Sequence, residues 1–518
     1  QKDFEKIPGS PIGYWVSENV INCFKNNSLG DVYAHVKQGI STSNQPRFER
    51  FIWEVSNSKK DVKWFKFNSG GSFRKWFGNE EIFFNWGNNG LELKKYSNSA
   101  IRNLRYQNCR LFFWSKISSK NFSIRETFDN QFFSGASGAV QLKSNYNRNY
   151  IIGLLNTKVI LKLLNAISPT LNFTEGNISS IPIIYNENQS IDDIVLKCVD
   201  ISRFDWDSRE TSWDFQQNEL IRCISNCGQN CADIDMLTEE DRDEILEMTK
   251  IPTNNNTLDH CFEAYKSKWR KKFFRLHRNE EEINRQFIEI YGLQDELTPD
   301  VPLKEITILQ EETSIENGEL VFHADEVFAQ FVSYAVGCMF GRYSMDKEGL
   351  ILANQGETLQ DYLEKVGRVE EELTFVPDRD NIIPILDDEW FRDDIVERFH
   401  TFLKASFGEQ NFRKNLDFVE ESLGKDIRKY FTRDFYKDHI RRYKKRPIYW
   451  MFSSPKGYFN VLVYLHRYTP DTINRILNSY LKEYIEKLKM YRTQQEHIEV
   501  EGSVTEQNKA RKEIDRIN

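Results

Sequence analysis

The sequence predicts an α+β protein in which a strand-rich α/β domain precedes a largely helical region that ends in a long, coiled-coil-like helical hairpin. The first observation is that residues 48–133 contain 21 aromatic residues in short clusters. Gly, Asn and Ser separate these clusters, and short aromatic runs bounded by turn residues are typical of strands. The second is that apolar residues after 190 mostly recur at helical spacing, in long and highly charged segments.

Five parts are predicted along the chain. A turn-rich start at Pro8–Pro11 is followed by the aromatic clusters, and charged helical patterns then fill the remainder. The parts are a connecting segment (1–45), a mixed α/β domain of mainly antiparallel strands (46–190), a helical spacer (191–300), a helical C-terminal domain (301–469) and a long helical hairpin (470–518).

Apolar spacing also predicts the individual helices. The pattern of 150–167 predicts one helix, and Gly292 ends a long charged helix over 258–291 in the manner of a C-cap glycine. Other helices are predicted at 14–24, 191–198, 328–341, 470–500 and from 505 onward, and the segments 388–406 and 411–445 together give two or three more.

Charge is unevenly distributed over the 518 residues. Residues 1–190 carry 24 Lys and Arg against 14 Asp and Glu, a net charge of +10, whereas the remainder carries 46 against 64, a net charge of −18. Such asymmetry is typical of a basic half that binds a polyanion. The alternative is a solvated surface of uneven sign.

Composition excludes several classes of protein. No apolar run reaches the roughly 18–20 residues of a membrane helix, and no signal peptide is recognised. Eight cysteines are too sparse for a disulfide scaffold, so we expect a cytoplasmic protein with no membrane partner. Cys223, Cys227, Cys231, His260 and Cys261 admit a zinc site, but the spacing favours buried thiols along a helix face.

The sequence carries no recognisable catalytic motif. Amino-methyltransferases need an Asn/Asp-Pro-Pro-aromatic loop that accepts hydrogen bonds from the amine of an extruded base, and no such string occurs. A glycine-rich nucleotide loop, a P-loop and a Gly-x-Ser-x-Gly elbow are absent too. We therefore assign no catalytic residue, no metal ligand and no cofactor to this chain.

Two groups of carboxylates are compatible with either a metal site or a structural role. Those within 387–394 are favoured as the start of the helix over 388–406, where negative charge complements exposed N–H groups. Those within 205–214 alternate with Trp206 and Trp213, which favours a packed knot between domains over a hydrated metal site.

Basic and polar loops in the first domain are the candidate DNA-binding site. Lys and Arg neutralise phosphates, Arg and Asn read base edges, and glycine permits a close approach of the backbone. Arg105 follows one of these loops. The candidate residues are Lys37, Arg47, Arg50, Lys66, Ser69, Gly70, Gly71, Arg74, Lys75, Arg102, Asn103, Ser119, Lys120 and Arg125. The alternative is an ordinary set of surface loops.

A second basic segment spans 428–446, where nine Lys and Arg outweigh two Asp and aromatic residues interleave with them. Two interpretations remain open. The segment grips a DNA backbone, or it is an amphipathic helix that packs its rings inward and leaves a solvated cationic face.

Several strings resemble the PglX family, the adenine-specific DNA methyltransferases of BREX phage-resistance systems. The segment 201–215 resembles the linker that follows the target-recognition domain of that family, and 70–79 resembles the signature of the domain itself. Further similar strings are 6–15, 168–182, 290–297, 333–343 and 446–454.

The resemblance implies a bacterial protein that binds double-stranded DNA and works beside other BREX proteins. It also implies that a separate N-terminal domain transfers a methyl group from S-adenosylmethionine to adenine N6. Since Gln1 is not a start methionine, we expect a fragment that lacks this domain and ends within the hairpin. The alternatives are a protein-interaction scaffold without DNA contact and, more weakly, a carbohydrate-binding module.

Overall fold

A computed structural model describes residues 7–8, 16–118, 120–226 and 257–517. The described residues within Gln1–Asn230 and His260–Val327 form one compact unit, called unit 1 here, and those within Cys231–Asp259 and Phe328–Asn518 form unit 2. About 50% of the chain is helix and 14% is strand, so the predicted α+β class is confirmed. The five-part division stays a prediction.

Unit 1 contains two four-stranded sheets made of short strands, as the aromatic clusters predict. The first sheet has the order β1-β8-β5-β6 and is antiparallel throughout. The second has the order β2-β4-β3-β7, in which β3 and β7 are parallel. The strands are β1 Ala34–Gln38, β2 Glu49–Phe51, β3 Trp64–Asn68, β4 Ile82–Asn85, β5 Phe112–Ser115, β6 Ile124–Glu126, β7 Phe132–Phe133, β8 Ser137–Leu142 and a separate hairpin of β9 Thr313–Glu316 with β10 Glu319–Phe322.

Aromatic side chains form the core beside the second sheet. Phe67 and Phe84 stack with ring centroids 4.5 Å apart, and Trp86 and Phe132 lie against Phe84. All four rings are buried. Large rings contribute most of the apolar area that leaves water here, which is why such short strands form a stable sheet.

Helices occupy most of the remaining residues. The α-helices are Glu18–Cys23, Gln45–Phe48, Gly87–Lys95, Arg148–Leu155, Lys158–Ile167, Glu175–Ser179, Gln189–Asp207, Glu219–Asn226, Leu258–Ile290, Ala324–Met339, Leu359–Val366, Ile395–Phe407, Phe412–Leu423, Ile427–Tyr430, Tyr436–Arg442, Thr472–Arg475, Lys482–Glu501 and Val504–Ile517. The π-helical segments are Leu29–Tyr33, Phe431–Phe435 and Ile476–Leu481. The 3₁₀ turns are Ile52–Glu54, Asn57–Lys59, Leu104–Tyr106, Leu303–Glu305, Glu370–Glu372, Glu409–Asn411 and Leu465–Arg467.

The helix predicted over 150–167 is two helices, because Asn156 interrupts it. The Asn156 side chain accepts a hydrogen bond from the backbone N–H of Ile124 and donates one to the carbonyl of the same residue, at 3.1 Å each. A side-chain amide that pairs with a strand in this way competes with helical continuation. The long helix predicted over 258–291 is confirmed, and Gly292 follows it at φ +63°.

Unit 2 is less purely helical than predicted. It contains an antiparallel sheet of β11 Ile383–Pro384, β12 Tyr449–Ser453 and β13 Asn460–Tyr464 in the order β11-β13-β12. The helix predicted from 388 begins at Ile395, where the side chain of Asp394 caps it by accepting from the N–H of Val396 at 3.0 Å. Asp394 thus has the predicted role, while 387–389 precede the helix.

The predicted C-terminal hairpin is confirmed. α-Helical and π-helical segments run without a break from Thr472 to Glu501, and Val504–Ile517 returns after a turn at Gly502. Arg511 Nε lies 2.9 Å from a Glu499 carboxylate oxygen across the two helices.

Within the described residues, no single helix combines the length and the apolar composition that a membrane-spanning helix needs. The helices Arg148–Leu155 and Lys158–Ile167 together have the length and apolar composition of a membrane span, but the chain bends by 64° between them.

Gly39 follows β1 where the two sheets of unit 1 meet, and it has no room for a side chain. An added Cβ would lie 2.1 Å from the carbonyl oxygen of Phe133, whereas at Gly135 the nearest atom would be 3.7 Å away. We expect Gly39→Ala to lower the free energy of unfolding of unit 1 by about 1–3 kcal/mol, because backbone must move. Urea unfolding measures this, with Gly135→Ala as the control. Equal stability of the two variants would contradict the prediction.

Candidate nucleic-acid interface

Three cations gather at the edge strand β1 and form the β1 cationic cluster, defined as Lys37, Arg105 and Lys143. The ammonium of Lys37 lies 5.5 Å from the ring centroid of Tyr106, and the guanidinium of Arg105 lies 4.6 Å from the same centroid. Lys143 follows β8, the strand that pairs with β1, and its Nζ donates to the carbonyl of Val32 at 2.6 Å. Strand pairing therefore brings together residues that are distant in sequence.

Charge in the β1 cationic cluster is not balanced by nearby carboxylates. In the described part of the chain, none of its three cations lies within ion-pair distance of an Asp or Glu oxygen. His35, an exposed residue of β1, lies in the positive electrostatic field of these cations. Partial burial lowers the pKa of its imidazole, and Lys143, Lys37 and Arg105 lower it further. An anion that approaches this edge thus meets a net positive potential.

The loop before Tyr106 adds polar and exposed groups to this edge. Asn103 has φ +51°, and its Nδ2 donates to the carbonyl of Gln38 at 2.9 Å, which ties the loop to the end of β1. Arg102 is exposed beside it, and Leu104 is 47% exposed. The structure therefore brings the predicted residues Lys37, Arg102 and Asn103 together.

Lys143 was not among the sequence candidates. No signal in its own neighbourhood distinguishes it from other lysines, since only the register of β1 with β8 places it beside His35. Lys143 directly follows Leu142, which pairs with Ala34, so knowledge of this register would have identified Lys143 as part of the site.

Arg47, Arg50 and Lys66 lie elsewhere in unit 1 and have local partners. Arg47 Nε is 2.9 Å from a Glu92 carboxylate oxygen, and Lys66 pairs with Asp129. Arg50 Nη1 donates to two backbone carbonyls, and its guanidinium lies 5.5 Å from the Trp64 ring centroid. Arg47 and Lys66 are therefore paired with carboxylates, whereas Arg50 is held by backbone carbonyls and the Trp64 ring.

The glycine loop after β3 requires its glycines, while their predicted close approach to a ligand stays a prediction. Gly70 and Gly71 have φ of +82° and +123°, which favour residues without a Cβ. Ser69 is partly exposed, and the Gly71 carbonyl accepts from Ser115 Oγ at 3.0 Å. Ser119 lies outside the described residues, whereas Lys120 is exposed.

Arg74, Lys75 and Arg125 are buried, unlike the other charged candidates. Lys75 Nζ lies 2.6 Å from Glu280 Oε2, and the other oxygen, Oε1, accepts from Trp76 Nε1 at 2.7 Å. Burial lowers the pKa of the Arg125 guanidinium to about 10, and the nearby charge of Arg74 contributes. Because these interactions are internal, we do not include the three side chains among the proposed DNA contacts.

Arg74 is part of a buried ion-pair network with Asp205. Its Nη2 lies 2.6 Å from Asp205 Oδ2, while Arg209 contacts Asp205 Oδ1 at 3.3 Å and Glu312 at 2.8 Å. Burial alone would raise the pKa of Asp205, but Arg209 and Arg74 hold it below its ordinary value. The packed knot predicted for 205–214 is confirmed for this part of the segment.

The basic segment 428–446 packs its rings inward. Tyr430, Phe431, Phe435 and Tyr443 are all buried. Arg428 pairs with Asp394 at 3.0 Å. The packing interpretation is confirmed, and a grip on DNA by the outward cations stays a prediction.

Three aspartates of unit 2 form a compact acidic group. Carboxylate oxygens of Asp378, Asp380 and Asp393 lie within 4.8 Å of one another, and the Tyr480 hydroxyl contacts Asp380 at 3.0 Å and Asp393 at 2.7 Å. Within the described ranges, this is the sole group of His, Cys, Asp and Glu close enough to share a metal ion. Cys227 and Cys231 lie outside those ranges, so the zinc alternative stays open.

Comparison with known proteins shows that two curated proteins are similar to this chain. The chain is 34% identical over 513 residues to adenine-specific methyltransferase BrxX of Escherichia coli O9:H4 (strain HS). The matched region covers 93% of this chain and 39% of that protein. The chain is also 31% identical over 549 residues to adenine-specific methyltransferase PglX of Lacticaseibacillus casei (strain Zhang). That matched region covers 100% of this chain and 42% of the relative. No family model matches the chain.

The chain thus spans about two fifths of the length of the curated relatives it matches. The resemblance predicted from the sequence strings is confirmed, and over nearly its whole length the chain is similar to the PglX adenine-specific methyltransferases.

Proposed function

We propose that unit 1 recognises double-stranded DNA on behalf of an adenine-specific DNA methyltransferase. The observation that carries the proposal is the β1 cationic cluster, whose charges have no carboxylate partner among the described residues. A positive surface of this kind matches the phosphates of a duplex, which supply most of the affinity of DNA-binding proteins. The names of the two relatives specify adenine as the base that is methylated.

Division of labour follows from this proposal. The cluster of Lys37, Arg105 and Lys143 holds the DNA backbone, and Arg102 and Asn103 lie beside it where they can reach base edges. Methyl transfer from S-adenosylmethionine belongs to a part of the whole protein that carries the motif absent here. The whole protein would act in the cytoplasm with other BREX proteins in phage defence.

Removal of the three cluster charges should weaken DNA binding for every sequence. The variant Lys37→Ala/Arg105→Ala/Lys143→Ala should bind duplex DNA less tightly, because fewer phosphates are neutralised. Its slope of log affinity against log salt should shrink by about one for each phosphate that the variant no longer neutralises. Binding isotherms at several salt concentrations measure both quantities.

A matched control removes three exposed lysines outside the cluster, in Lys25→Ala/Lys59→Ala/Lys95→Ala. This control has the same net charge change within unit 1. Equal losses in both variants would indicate a general charge effect and contradict a site at β1. Absence of salt-dependent binding by the unaltered chain would contradict DNA recognition and favour a protein-interaction scaffold.

A further inference from the structure

A cavity of about 380 Å³ opens beside the glycine loop of unit 1. Its apolar wall includes Phe73, Phe273 and Ile308, which are buried, and its rim includes Lys120 and Lys304, which are exposed. The volume lies within the roughly 300–1,000 Å³ of small-molecule sites. The site is separate from the β1 cationic cluster, since no residue belongs to both.

The charged side chains that line this cavity are all basic. Its lining contains two ammonium groups and no carboxylate. Neither lysine has an ion-pair partner in the part of the chain that the structure describes. The Nζ of Lys120 lies 5.7 Å from the centroid of the Phe73 ring, which holds this cation close to the apolar wall.

Polar groups on the lining add hydrogen-bonding capacity between the cations and the apolar wall. Gln310 carries an amide that both donates and accepts. The hydroxyls of Ser72 and Ser314 donate to Asn79 and Glu316, and their oxygens can accept from a ligand. A ligand that uses all three features has an anionic group, a flat apolar body and hydrogen-bonding edges. A nucleotide has this combination of groups.

We propose that this cavity binds a nucleotide, with its phosphate near Lys120 and Lys304 and its base against the apolar wall. The nucleotide is either free in solution or an unstacked residue of a DNA strand, and both sources present the same chemistry. Aromatic and apolar walls bind bases of any sequence because every base has a π-face. The free-nucleotide form of the proposal does not depend on DNA binding at β1.

Calorimetric titration of the full chain with adenosine monophosphate tests the site. We expect saturable binding that weakens at least tenfold in Lys120→Ala/Lys304→Ala. Ser72→Trp places a large ring on the exposed rim of the cavity and should abolish binding without disturbing the core. The control variant Lys59→Ala/Lys95→Ala should bind as the unaltered chain does.

Two further titrants separate the sources of the ligand. Inorganic phosphate that binds as tightly as adenosine monophosphate would overturn the role of the apolar wall. A duplex with 2-aminopurine at each position in turn reports an unstacked base by a rise in fluorescence, which Ser72→Trp should remove. Absence of both nucleotide binding and any fluorescence rise would overturn the proposal.

Failure here and failure of the proposed function are distinguishable. The β1 triple variant should retain binding of adenosine monophosphate while its duplex affinity falls. Loss of nucleotide binding in that variant, with the fold intact by circular dichroism, would overturn the assignment of this ligand to the cavity.

Discussion

Asp205→Ala should lower the free energy of unfolding of unit 1 by about 3–5 kcal/mol, because it leaves the buried guanidinium of Arg74 without its carboxylate partner. Arg74 and Arg209 both contact this carboxylate, and Asp205 is fully buried. The carboxylate also accepts from the backbone N–H of Leu309 at 2.8 Å. Its removal therefore breaks interactions with three segments of unit 1 at once.

Chemical denaturation with urea measures this loss, and Asp214→Ala is the matched control. Asp214 is an exposed aspartate of the same segment, so its removal should change stability by no more than about 0.5 kcal/mol. Arg74→Ala should resemble Asp205→Ala, and any loss of DNA binding in it should follow the loss of fold. Equal stability of the Asp205 and Asp214 variants would refute the network's role.

Asp378→Asn should remove a pH-dependent weakness of unit 2. Burial, together with the nearby charge of Asp380, raises the pKa of the Asp378 carboxyl to about 7. An acid whose folded pKa is raised holds its proton in the folded state, so its contribution to stability is full below about pH 4. That contribution is lost as the pH rises through about 7, at about 1.4 kcal/mol for each unit of pKa difference.

The asparagine variant stays neutral at every pH, and its side-chain oxygen can still accept from the N–H groups of Asn381 and Ile382. Its melting temperature relative to the unaltered chain should therefore rise from pH 5 to pH 8. Thermal unfolding across this range measures the difference, with Asp388→Asn, at an exposed position, as the control. A difference that is constant with pH would show that Asp378 does not titrate in this window.

Local patterns explain which elements the sequence could predict. The aromatic clusters predicted the short strands of unit 1, and charged helical spacing predicted Leu258–Ile290 and the C-terminal hairpin. These signals depend on residues within one or two turns of each other. The break at Asn156 was missed because its cause, a bond to Ile124, depends on a strand 32 residues away.

The candidate site shows the same limit more clearly. Lys37, Arg102 and Asn103 were predicted from loop chemistry, and the fold brings them together. Arg74 and Lys75 have equally suitable chemistry in the same kind of loop. Their partners, Asp205 and Glu280, are more than one hundred residues away, so composition near the loop could not show that these two cations are internal.

Exchange of the predicted domain 46–190 between relatives would depend on these same partners. A chimaera that replaces 46–190 takes its residues at positions 74 and 75 from the donor. It keeps Asp205 and Glu280, the partners of those residues, from the recipient. A donor without cations at these two positions would leave the buried Glu280 without its ammonium partner, and Asp205 would keep only Arg209 as a cationic partner. Compatible grafts therefore either carry basic residues at both positions or exchange the segments that hold Asp205 and Glu280 together with the domain.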